Sequence, residues 1–407
     1  MRPAYGLKDA PKCWKAKING VLLKLGCVAC PTDSSLYRLY EKDAKGETQL
    51  IAIRATHVDD IKGGGTDAST ADLLKGLTAA FGKLKVSHRN FEHCGLMHSQ
   101  TAEGIKISQA HYAQQLRPIP LAGLNVADID TKLTEPQIRM FQSILGGLSW
   151  LVQCRPDLCI YVGALQRIAT KATTGHVLKI NQLVRSVRKR DCFLFFPAMK
   201  APFKIGCISD AAFRRESIAG LSMRGAIVCV MEDRPLLAGQ ITKIHWIEYY
   251  ARKQRRVVRS TFSAELNAAA DAYEVSRLIS WTLSSLFLPA SCTARSLGSS
   301  EAQGKLPFRI DLYIDCRSIL DSLRQEIVKV PSEQTLILLL LSLKEALLSW
   351  SLRHMVWIAT SDMLADGLNK GVVSRRQLVE SACSGSWTLT ETPICWREPI
   401  QHILQLV

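Results

Sequence analysis

Ala55-Thr56-His57-Val58-Asp59-Asp60-Ile61, followed by Gly63-Gly64-Gly65, is the stretch on which the reading of this chain turns. The apolar, β-prone run from Leu50 to Ala55 leads into it, and the glycines supply a turn straight after it. That predicts a β-hairpin with Asp59 and Asp60 at or near the tip. Successive strand residues point to opposite faces, so only a turn lets both carboxylates approach one ligand. Paired carboxylates repel each other unless a cation lies between them. The pattern points to a divalent metal and phosphoryl transfer, with an ordinary Asp-Asp turn as the competing reading.

Composition narrows the choice. A chain of 407 residues suits two or three domains, and 47% hydrophobic residues are enough for real cores. The net charge of +16 calls for a polyanionic partner, nucleic acid before a membrane surface. Met1 to Gly6 lack the apolar core of a signal peptide. The longest apolar run, Leu336 to Leu343, ends at Lys344 and Glu345, short of the roughly 20 residues a bilayer span needs. A cytoplasmic or nuclear location without a membrane partner is expected. The thirteen cysteines suggest no disulfide framework, and Cys27-Val28-Ala29-Cys30 is a lone CxxC, so they read as core thiols in a reducing compartment.

Upstream of the Asp-Asp stretch, Pro11 suits a helix start, and Ile18, Val21, Leu22 and Leu25 recur at helical spacing until Gly26. Asp33-Ser34-Ser35-Leu36-Tyr37 then leads into a strand, a polar turn and the next strand. In this order, Tyr5-Gly6-Leu7-Lys8-Asp9-Ala10-Pro11-Lys12-Cys13-Trp14, Asp33 to Leu36 and Val58-Asp59-Asp60 resemble the reverse transcriptase of copia-type LTR retrotransposons. The resemblance continues through Gln109-Ala110-His111-Tyr112, Arg155-Pro156-Asp157 and His176 to about Lys370. It implies that Asp59 and Asp60 bind catalytic magnesium, and that the segment carrying Tyr5, Gly6, Lys8 and Lys12 lies over template and nucleotide. Two departures stand out. His57 replaces the family's Tyr, and the family's first catalytic Asp lies upstream of the Tyr-Gly-Leu-Lys motif, where only four residues precede Tyr5. The expectation is a partial palm that does not polymerise DNA by itself.

Residues 131–200 read as a helical connection. Phe141, Ile144, Leu145, Leu148 and Leu151, with Gly146 and Gly147 among them, suggest two closely packed helices. A later basic helix carries Arg188 and Lys189, which by resemblance contact duplex phosphates, with a solvated basic face as the competing reading. Residues 201–385 then follow the order three strands, helix, strand, helices, strand, helix. Asp210 ends the first strand, Glu265 lies on a helix beside Ala268, Ala269 and Ala272, Asp315 ends the fourth strand, and Asp366 opens the last helix. By resemblance, Ser209-Asp210-Ala211, Ser260 to Glu265, Asp315 and Ala365-Asp366-Gly367-Leu368-Asn369-Lys370 match the metal-binding carboxylates of an RNase H. Asp362, one helical turn earlier, could exchange roles with Asp366. Arg252, Lys253, Arg255, Arg256 and Arg259 form a basic run suited to hybrid phosphates. Leu288 to Leu306 looks like an inserted loop, and the tail from 386 to 407 carries no functional signal.

The expectation is therefore an α+β and α/β chain: a truncated reverse-transcriptase palm over residues 1–130, the connection, and an RNase H-like domain with a mixed five-stranded sheet. It implies cleavage of the RNA strand of RNA–DNA hybrids with two Mg2+ or Mn2+ ions, alongside other Pol-derived chains. A catalytically inactive nucleic-acid-binding relic is the alternative.

Overall fold

A computed structural model describes residues 8–213, 221–255 and 257–396, so Tyr5, Gly6 and Arg256 lie outside the described residues. The fold is mixed, and the described strands form three sheets. Residues 1–88 and 277–308 form one compact unit, and residues 89–276 and 309–407 form another. No helix among the described residues is long and apolar enough to cross a membrane.

The first unit begins with α1 (Ala10–Lys24), β1 (Val28–Ala29), β2 (Leu36–Lys42), β3 (Thr48–His57), β4 (Asp60–Gly65) and α2 (Asp67–Phe81). The sheet order is β1-β2-β3-β4. Ile18 and Leu22 of α1 pack on Cys27 and Tyr37, as the helical spacing predicts. The Gly63-Gly64-Gly65 run corrects an expectation. It forms the end of β4, and the turn falls before that strand, at Val58 and Asp59. The reason is steric: a Cβ on Gly63 would lie 2.3 Å from Ile53 O and 2.7 Å from Arg54 Cδ. A bare backbone there lets Arg54 cross the strand and donate from Nη1 to Gly64 O at 2.6 Å.

In the second unit, β5 (Asn90–His93), β6 (Leu96–Gln100) and β7 (Gly104–Ser108) form a meander, followed by α3 (Ala110–Gln115). Next come α4 (Glu135–Leu151), α5 (Cys159–Gln166), α6 (Thr174–Lys189) and β8 (Leu194–Pro197), which pairs with β7. Helix α4 is continuous through Gly146 and Gly147, where two helices were expected. Phe141, Leu145, Leu148 and Leu151 line one buried face of it, and that apolar stripe holds it together. His176 helps cap α6, its Nδ1 accepting from the Thr173 amide at 3.1 Å.

The large sheet uses β9 (Phe203–Ala212), β10 (Met223–Glu232) and β11 (Ile241–Lys253). The long α7 (Thr261–Phe287) and α8 (Ala294–Ala302) follow. Then come β12 (Arg309–Ile314), α9 (Arg317–Arg324), α10 (Ile337–Leu348), β13 (His354–Trp357), α11 (Asp366–Asn369), α12 (Arg376–Ser384), β14 (Ser386–Thr388) and β15 (Ile394–Trp396). Strand order is β14-β11-β10-β9-β12-β13-β15. Strands β9, β10 and β11 are antiparallel neighbours, whereas β12 runs parallel to β9 and β13 parallel to β12.

Four further expectations change. Leu288–Leu306 is not a plain loop: Thr293 and Ser296 box the start of α8, and Arg277 holds Glu301 of α8 at 2.8 Å. Asp366 opens a helix of only four residues, and α12 follows it. Part of the expected tail extends both edges of the sheet, as β14 on β11 and β15 on β13. Finally, all thirteen cysteines are free, but Cys13 and Cys395 are exposed rather than in a core.

Candidate metal centre

Strand β9 is the middle of the large sheet and is buried from Lys204 to Ala212. Its Asp210 is completely shielded from solvent and pairs across the sheet with Gly225. Asp315 follows the end of the neighbouring parallel strand β12, and Asp366 is the first residue of α11. Carboxylate oxygens of Asp210, Asp315 and Asp366 lie within 4.8 Å of one another. Two adjacent parallel strands and one short helix thus deliver three acids to one place.

Polar neighbours fix these groups. Asn369 Nδ2 donates to Asp210 Oδ2 at 2.8 Å and to the Asp210 carbonyl at 3.0 Å. Lys370 Nζ donates to Asp210 Oδ1 at 3.1 Å and to Asp366 Oδ1 at 2.5 Å. Thr360 Oγ1 donates to Asp315 Oδ2 at 3.0 Å. Gly225 matters to this packing: a Cβ there would lie 3.1 Å from both Ala365 O and Asn369 Nδ2, so its absence lets α11 sit against the sheet.

The electrostatics match a crowded acidic site. Burial, then the charge of Asp210, raises both Asp315 and Asp366 above the usual carboxylate range. Burial followed by Asp210 and Asp315 pushes Glu265 well up in the same way. Burial works against the Lys370 ammonium, but Asp210 and Asp366 outweigh it and hold the amine above its ordinary value.

Glu265 stands beside the trio rather than within it. Its Oε2 accepts from the Ala211 amide at 3.0 Å, and with Asp315, Thr261 and Lys370 it lines an open cleft. Asp362 is buried elsewhere, accepting from the Thr390 amide at 3.0 and 2.9 Å, where it ties down the link from β14. Sequence reasoning quoted Asn369 and Lys370 within a motif without giving them a role; the four-residue spacing from Asp366 to Lys370 was the available signal.

Asp59 and Asp60 are exposed at the β3–β4 turn of the first unit, where Trp14 Nε1 donates to Val58 O at 2.6 Å. Among the described residues, no third acidic, His or Cys group joins them in a metal-sized cluster. Lys8 and Lys12 are exposed in the same unit, at and beside the start of α1. Arg188 and Lys189 end α6, while Arg252 and Lys253 end β11 and Arg255 and Arg259 lie in the link to α7.

Residues 2–133 match the family model described as reverse transcriptase (RNA-dependent DNA polymerase). Two curated proteins of Arabidopsis thaliana align with two thirds of the chain. The retrovirus-related Pol polyprotein from transposon RE1 is 26% identical over 281 residues, and that from transposon RE2 is 25% identical over 280. This chain is related to the Pol polyproteins of copia-type retrotransposons. Its matched part spans 18% of the length of each relative. A reverse transcriptase segment is present, a family that generally uses Mg2+.

Proposed function

We propose that residues 201–385 of this Pol relative, which carry the large sheet, are an RNase H-type nuclease that cleaves the RNA strand of RNA–DNA hybrids. The observation carrying the reading is the meeting of Asp210 on β9, Asp315 after β12 and Asp366 on α11 within 4.8 Å of one another. The sheet supports it: three antiparallel strands followed by two parallel ones, β11-β10-β9-β12-β13, is the arrangement expected of that nuclease fold.

The residues suit the metal. Hard divalent cations take carboxylate oxygens, and three convergent acids with Glu265 beside them are such a donor set. Bound Mg2+ or Mn2+ supplies an activated water and stabilises the leaving oxygen of a phosphodiester. Asp210, Asp315 and Asp366 would hold the metal, with Asp210 oriented by Asn369. Lys370 keeps the acids partly neutralised and sits where an anionic phosphate approaches. Arg252, Lys253, Arg255 and Arg259 would grip the backbone, giving low sequence specificity and strong salt dependence. In the first unit, Asp59 and Asp60 are proposed as metal carboxylates of the reverse transcriptase segment.

Manganese titration of the purified chain, read by calorimetry, tests the site. Saturable binding that is lost in Asp210→Asn supports the proposal. Equal binding by the variant, or no binding by the parent, overturns it and leaves a relic that only contacts nucleic acid.

A further inference from the structure

A cavity of about 160 Å³ opens in the second unit between α3 and the end of α6. Gln109, Gln114, Arg188, Lys189 and Arg190 are among its lining residues. It is far larger than the about 10–15 Å³ that a single water requires. Gln109 is only 2% exposed, and neither its Nε2 nor its Oε1 has a hydrogen-bond partner in the protein. Leaving such groups buried and unpaired is costly, so the amide marks a place where something polar belongs. The Arg188 Nε is likewise buried and unpartnered.

Charge selects the guest. Asp191 is engaged by Lys106 at 3.4 Å, and Arg155 is matched by Asp157 at 2.8 Å. Arg188, Lys189 and Arg190 have no ion-pair partner among the described residues, which leaves the cavity cationic. Carbonyls at a helix C-terminus would ordinarily repel an anion. Here Gln114 Nε2 covers Arg188 O and Arg155 Nη1 covers Arg190 O, each at 2.8 Å.

We propose that this cavity is a phosphate site, with the buried Gln109 amide and the basic side chains of Arg188, Lys189 and Arg190 as its donors. The guest is a tetrahedral oxyanion, supplied by a nucleic-acid backbone or by free phosphate. The proposal does not depend on the nuclease reading, because no residue of the metal centre takes part.

Thermal melting of the full chain in phosphate, against chloride at equal ionic strength, tests it through ligand linkage. The parent Tm should rise saturably with phosphate. Gln109→Leu should melt no lower than the parent in chloride, since it removes an unpaired amide, yet should lose the phosphate-dependent rise. Repeating the titration with saturating RNA–DNA hybrid separates the two sources. Disappearance of the rise assigns the site to a backbone phosphate, and its persistence assigns it to a free anion. A parent Tm that responds alike to phosphate and chloride, or a Gln109→Leu protein that responds like the parent, overturns the proposal.

Discussion

Lys370 Nζ stands 3.1 Å from Asp210 Oδ1 and 2.5 Å from Asp366 Oδ1, so one ammonium bridges two of the three converging acids. Without a divalent ion, it is the cation that offsets their mutual repulsion. Lys370→Met should therefore cost the metal-free protein about 1.5–3 kcal/mol, the range for hydrogen bonds to charged groups. Magnesium should recover more stability in the variant than in the parent. Tm measured with and without Mg2+ checks this, and an identical Mg2+ response in both proteins would contradict it.

Asn369 acts through Asp210, using its amide hydrogens on both the carboxylate and the carbonyl. Groups that orient metal ligands are typically worth about 10–100-fold in metal affinity or activity. Asn369→Ser should show that loss in hybrid cleavage while hybrid binding stays unchanged. Gly225→Ala should share the defect, because the new methyl meets Asn369 and Ala365. Kinetics compared with anisotropy binding curves separate the two effects.

Away from the metal centre, Asp311 joins β9, β12 and β13. Arg353 grips it at 2.8 and 2.7 Å, Lys204 at 3.0 Å, and His354 Nδ1 lies 2.9 Å away. Burial alone would raise this carboxyl, but His354, Arg353 and Lys204 outweigh it and hold it well below the usual range. A depressed acid stabilises the fold above its unfolded pKa of about 3.9, and that contribution fades as pH falls through the lower folded value. Asp311→Asn leaves the buried Lys204 without its carboxylate and Arg353 with Asp233 alone, which should cost about 3–5 kcal/mol at pH 7. Urea unfolding at pH 7 and pH 3 should show the gap between parent and variant narrowing in acid.

Val58 holds φ 52°, a conformation that suits glycine and is poor for a β-branched residue, and it is 69% exposed. Val58→Gly sacrifices little packing and relieves strain of order 1–3 kcal/mol, partly offset by the greater freedom of the unfolded chain. A net gain of about 1 kcal/mol in the β3–β4 hairpin is expected. Slower amide exchange across the hairpin would confirm it, and faster exchange would refute it.

Much of this fold was legible because its signals are local. The run from Leu50 to Asp60 announced a hairpin, although the glycines that marked its turn serve as the bare flank of β4. The strand end before Asp315 and the alanine face beside Glu265 were readable from alternation and helical spacing, whereas β9 runs two residues past Asp210, where the strand was expected to end. Non-local pairing was not. Nothing near Leu194 tells that β8 will join β7, and nothing near Ser386 or Ile394 tells that these short runs extend a distant sheet. Lys370 and Asn369 escaped for the same reason: their partner Asp210 lies about 160 positions away. The exchange between Asp362 and Asp366 was beyond the sequence, since either could have faced the acids. It turned on the Thr390 amide, which occupies Asp362.

The most direct test of the account is cleavage of an RNA–DNA hybrid whose two strands carry different dyes, by the purified chain, in Mg2+ and then in EDTA. The account predicts that the RNA strand alone is cut, that EDTA stops the cutting, and that Asp210→Asn binds the hybrid without cutting it. A folded chain that binds the hybrid and leaves both strands whole in Mg2+ and in Mn2+ would contradict it.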